Sequence, residues 1–190
     1  MHHPVPRLPR QPVVPRAEAD ARLTAELASV VEGARRRALR DGDRQIDTAH
    51  LLHSLLESDP EVRALFRPGP GVARVLGYLV QRSIGYGLRW QGSVEDSGAV
   101  PVVRDVPAAG SRTPGPSGAG WSPSAATAME GALRRAESYG RQRAAGVDLF
   151  AALAADPECR AMEVLRGAGI DIRRLDGLDP GDGAALAAAE

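Results

Sequence analysis

Residues 23 to 55, moved forward by 98 places, meet their own copy. Ten of those 33 positions are identical: Ala28/Ala126, Glu32/Glu130, Gly33/Gly131, Ala34/Ala132, Arg36/Arg134, Arg37/Arg135, Ala38/Ala136, Gly42/Gly140, Leu51/Leu149 and Leu55/Leu153. With a one-residue slip the match goes on, Asp59-Pro60-Glu61-Val62-Arg63-Ala64 returning as Asp156-Pro157-Glu158-Cys159-Arg160-Ala161. A unit repeated at this spacing has the same apolar face to bury twice, and two copies satisfy each other by packing together. The repeat therefore predicts two equivalent units related by a pseudo-twofold axis.

Each unit reads as helical. Leu23, Leu27, Val30, Val31, Ala34 and Ala38 step by three and four, with Glu26, Arg35, Arg36, Arg37 and Arg40 on the other face, the pattern of an amphipathic helix. Thr24 is its expected N-cap, Leu23 its hydrophobic staple and Gly42 its left-handed stop. Ile46 and Asp47 repeat that logic ahead of Leu51, Leu52, Leu55 and Leu56, Asp59-Pro60 starts a short third helix, and Gly69-Pro70-Gly71 breaks the chain before a fourth apolar segment, Val72 to Ile84. In the second unit Trp121-Ser122-Pro123 stands where Leu23-Thr24-Ala25 stood, as staple, cap and first helical proline. The expectation is an all-α, eight-helix domain at 23–178, with repeat one at 23–85, a Gly/Pro-rich linker at 86–120 and repeat two at 121–178. Residues 1–22 read as a disordered Pro/Arg-rich arm, solvated or a polyproline II docking segment, and 179–190 as a flexible tail.

Composition removes several functions. All 24 basic residues are arginine, so no lysine is present for a P-loop or a Schiff base. No run is long and apolar enough for a membrane span, and Met1-His2-His3-Pro4 does not open a signal peptide. Both point to a cytoplasmic protein. The 24 acids cancel the arginines, which gives no overall pull toward nucleic acid or anionic lipid.

The residues resemble a known family, the N-terminal domain of the Clp (Hsp100) ATPases, which is made of two Clp-N repeats. The likeness is carried by Leu23-Thr24, by the spacing of Ala34, Ala38 and Gly42, and by Ile46-Asp47-Thr48-Ala49-His50-Leu51-Leu52-His53-Ser54-Leu55-Leu56, which is similar to the family's I-G-T-E-H-I-L-L-G-L pattern. Trp121-Ser122-Pro123 resembles the aromatic-Thr-Pro opening of its second repeat, and the likeness runs from Leu23 to Leu178. It implies a non-enzymatic, cofactor-free module that binds substrate peptides, adaptors or components of the Clp unfoldase and protease system, acting alone or docked on a separate machine.

The resemblance also assigns candidate sites. The family's T-E-H glutamate, which contributes to binding phosphorylated arginine, is replaced by Ala49 and Val147, so Thr48 is what remains of that site. A second ligand class is cyclic peptide antibiotics held in the groove between the repeats. The residues matching that groove are Leu23, Val31, Trp121, Ser122, Met129 and Glu130. Trp121 reads equally as a plain staple. Read from the residues themselves, Arg35-Arg36-Arg37 and Arg134-Arg135 form two symmetric basic patches, solvated or gripping acidic partners. The alternative of another class is a hydrolase using Cys159, beside Arg160 at a helix start, or the pair His50 and His53. The repeat puts Val62 in the place of Cys159, which favours a small core residue, and the histidines lack the spacing of a zinc motif, so no metal is expected. A DNA-associated regulator using the arginine patches is the remaining alternative.

Overall fold

The computed structural model describes residues 21–67, 69–81, 94–95 and 120–175. Residues 1–20 of the arm, the tail and most of the linker lie outside the described residues.

Helix α1, Ala25–Asp41, starts where Thr24 Oγ1 accepts from Leu27 N and stops at Gly42, φ +75°, whose left-handed backbone is costly for any residue with a Cβ. The stop is repeated in α5, Pro123–Ser138: Asp43 N bonds to Ala38 O and Arg141 N to Ala136 O, both at 2.8 Å, around the positive-φ pair Gly42 and Gly140. Leu27, Val30, Val31, Ala34 and Ala38 are buried, as their spacing demands. Helix α2, Thr48–Ser58, is buried continuously from Thr48 to Leu56, so it is the central rod and not a surface helix. Helix α3, Pro60–Ala64, is short, and α4, Gly71–Gln81, buries Gly71, Val75 and Leu79. In the second unit α6 spans Gly146–Ala155 and α7 Arg160–Gly167, followed by a 3₁₀ turn at Ile172–Arg174.

The expected count of eight helices becomes seven α-helices among the described residues. In the repeat's register α7 is the counterpart of α3, Arg160 standing where Arg63 stood, and where the first unit goes on to α4 the described residues of the second have the 3₁₀ turn at Ile172–Arg174. Asp59 Oδ1 accepts from both Glu61 N and Val62 N and so nucleates α3. Asp156 Oδ1 accepts from Glu158 N, Cys159 N bonds to Asp156 O, and the chain turns directly into α7.

Two short parallel pairings knit the units. Strand β1, Gln45–Ile46, lies beside β2, Gly120–Trp121, with Ile46 opposite Trp121. Leu23 pairs with Ala144 in the same sense. Moving Ile46 and Leu23 forward by 98 gives Ala144 and Trp121, so each pairing is the other's image. Their hydrogen bonds match too: Ser122 N to Ile46 O and Thr24 N to Ala144 O, both 2.9 Å. This is the pseudo-twofold in backbone form. Around it α2 packs on α5, α6 and α7, and α4 packs on α7. Phe66 of the first unit meets Phe150 of the second edge to face at 5.6 Å, so one core spans both.

Candidate functional site

The N-terminus of α2 lies buried at the junction of the two units. Asp47 caps the helix, taking His50 N on Oδ1 at 2.8 Å, while Asp47 N donates to His50 Nδ1. The other oxygen, Oδ2, accepts from Arg160 Nη1 at 2.7 Å, an ion pair across the junction with both partners buried. Thr48 is the first residue of α2, its amide lying outside the Asp47 cap, and α7 begins at the facing Arg160.

One carboxylate answers these donors. Glu95, 5% exposed, accepts from Thr48 N at 2.8 Å and from Ser122 Oγ at 2.9 Å on Oε2. Its Oε1 accepts from Arg160 N at 2.7 Å and from the Thr48 hydroxyl. Thr48 Oγ1 in turn accepts from Ala161 N at 2.9 Å. Four donors on two oxygens fill a carboxylate's ordinary capacity, and two helix N-termini add favourable dipoles. The arrangement is a cradle for an oxyanion. The preceding Val94 is 56% exposed, so the side chain of Glu95 enters while its neighbour stays at the surface.

The second unit has an equivalent place at the start of α6, where Gly146 corresponds to Thr48. There the neighbouring acid is Asp59, 3% exposed, whose carboxyl lies so close to Gly146 that a Cβ would overlap it. Asp59 caps α3 and belongs to the wall. Its counterpart Asp156 is turned toward Glu158, and the cradle at Thr48 receives Glu95 instead.

Of the residues expected from sequence, Thr48 and Ser122 are brought together at this cradle. Ser122 serves twice, since its Oγ also accepts from Ala125 N as the cap of α5. Leu23 and Val31 are buried in the core. Trp121 is half-buried against it, as is Met129, and Glu130 is exposed and paired with Arg134 at 3.7 Å. The basic patches are mixed: Arg36 is exposed, Arg35 lies 3.7 Å from Glu32, and Arg37 pairs with Glu57. Arg135 stacks over Tyr139 at 5.1 Å and lies 3.5 Å from Asp148.

The groups of the hydrolase alternative are occupied otherwise. Burial pushes the Cys159 thiol up to about 12, which leaves it protonated at neutral pH, and its Sγ rests 3.4 Å from Leu153 O. His50 lies between Asp47 and Asp43, with Nε2 3.2 Å from Asp43 Oδ2. Burial, then the Arg37 guanidinium, lowers His53 to about 4. Among the described residues no group of three or more His, Cys, Asp or Glu side chains is arranged to hold a metal. No described helix is long and apolar enough to cross a membrane.

Sequence reasoning missed Glu95 and the buried Asp148. Asp148 accepts both Arg141 guanidinium nitrogens at 2.6 Å, and its Oδ2 takes Ala145 N at 2.8 Å, the place His50 holds in the first unit. The repeat aligns His50 with Asp148 and was the available signal. For Glu95, which lies in a stretch without helical period, there was none.

No protein-family model and no curated protein matches the sequence. Among solved structures, the chain is similar to the N-terminal domain of the caseinolytic protease associated chaperone ClpD from Arabidopsis thaliana, at 18% identity and a TM-score of 0.53. The likeness covers 89% of this chain and 96% of that one. Two helical units, exchanged about a pseudo-twofold and extending over nearly the whole of that domain, give this chain the fold of a Clp N-terminal domain.

Proposed function

We propose that this chain is a non-enzymatic, cytoplasmic recognition module, folded over 23–178, that binds peptides, adaptors or Clp components through the surface between its repeats and modulates Clp-dependent proteolysis. The observation that carries the reading is the junction itself. Clp-N-like units meet there with an oxyanion cradle at Thr48 and Ser122 beside the half-buried Trp121, so polar and aromatic recognition elements adjoin on one seam. The buried, protonated Cys159 and the low-titrating His53 argue for recognition over hydrolysis.

A second reading, sequestration of a Clp-directed cyclic peptide, is favoured by Trp121 and Met129, two large side chains left half-buried on the second unit. Titration calorimetry against the separate unfoldase, a phosphoarginine peptide and a Clp-directed cyclic peptide separates the two. Trp121→Ala is expected to weaken whichever ligand binds by about tenfold or more, the cost typical of losing a buried aromatic anchor. Heat from none of the three ligands would overturn the recognition reading.

A further inference from the structure

The cradle over Thr48 is filled by an acid that belongs to neither wall. Its donors come from both units: Thr48 N and the Thr48 hydroxyl from the first, Ser122 Oγ and Arg160 N from the second. The carboxylate comes from position 95, between the repeats. At the related place in the other half the acid is Asp59, whose backbone joins α2 to α3 and whose Oδ1 is committed to Glu61 N and Val62 N. Asp59 cannot leave without unmaking a helix cap. Glu95 caps no helix of its own, its neighbour Val94 is exposed, and among the described residues its bonds are those of the cradle.

We propose that Glu95 is an internal ligand: it keeps an oxyanion receptor between the repeats occupied, and an acidic group of a partner peptide gains the receptor by displacing it. This deepens the recognition reading above and rests on it for the identity of the partner as a peptide. The receptor chemistry is independent of that reading. Two helix-first-turn amides and two hydroxyls, with the Arg160–Asp47 pair alongside, suit a carboxylate or a phosphate equally. A tethered acid competes at high effective concentration, so an external one binds weakly until the tether is removed. The device sets a threshold: only a ligand with further contacts along the seam outcompetes residue 95.

The test follows the backbone amide signals of Thr48, Arg160 and Ala161 by NMR in the full chain, during titration with inorganic phosphate and, separately, acetate. The wild type is expected to respond weakly. Glu95→Ala is expected to give saturable shifts at these amides, with an affinity about tenfold or more above wild type. Adding Ser122→Ala should reduce that gain. If Glu95→Ala does not fold, Glu95→Gln, which keeps the shape and removes the charge, carries the same comparison. Equal responses in wild type and variant, or none in either with the amides still in their native positions, would overturn the proposal and leave Glu95 a permanent brace. Phosphate or acetate binding without any peptide binding would keep the receptor and remove the peptide reading. A response to one anion alone tells which oxyanion it accepts.

Discussion

His53 shows how far one side chain's chemistry follows from its surroundings. It lies buried on α2, with Arg37, Arg40, Asp41 and Glu57 around it, Glu57 Oε1 being 3.4 Å from Nε2. Desolvation and Arg37 outweigh the acids and hold the imidazole at about 4 against an ordinary 6.5. Below 6.5 the unfolded chain takes up a proton that the folded one refuses until about 4, so stability present above that window is lost as pH falls through it. Thermal melts from pH 7 to 5 should show a shallower decline for His53→Gln than for the wild type; parallel curves would contradict this assignment. From sequence, His50 and His53 were legible only as a pair at i and i+3. One is bonded to Asp47 in the cap of α2, and the other is held neutral beside Arg37, 16 places upstream on α1, a neighbour that spacing along a single helix does not report.

Among the elements, helix ends were legible and helix partners were not. Thr24, Asp47, Asp59 and Ser122 cap as their residue types dictate, because a cap is decided within three residues. The arrival of Glu95 at α2 depends on a contact from the linker. The glycine at the start of α6 turns this into a sign test. In an open helix interior Gly→Ala gains about 0.5–1 kcal/mol, and Gly77 in α4, with nothing within 4 Å of its virtual Cβ, should show that gain. Gly146→Ala instead drives a methyl into the Asp59 carboxyl and should lose about 1–3 kcal/mol, measured by urea unfolding. A gain at both positions would mean that α6 and Asp59 are not pressed together.

For the molecule as a whole, the repeat made the fold readable without an alignment, because ten identities at one offset forced two like units. What it left open is how tightly they are joined. Leu55 of the first unit and Leu153 of the second, the last of the ten matched pairs, are 0% and 1% exposed in one continuous core, and α2 touches three helices of the other unit. Unfolding should therefore be a single transition by calorimetry. Leu55→Ala and Leu153→Ala should each lower it by about 2–5 kcal/mol without splitting it. A two-step melt in either variant would show that the repeats are separable domains.

The mirrored pairings, Ile46 with Trp121 and Leu23 with Ala144, have an ancestral implication. A contact made twice, with the partners' roles exchanged, is what an isologous homodimer makes across its dyad. A single unit carrying a 23-like opening and a 46-like loop already holds both halves of that clasp. Joining two such units in one polypeptide removes the concentration dependence of assembly and leaves the copies free to differ, one half carrying its acid in the wall and the other taking it from residue 95.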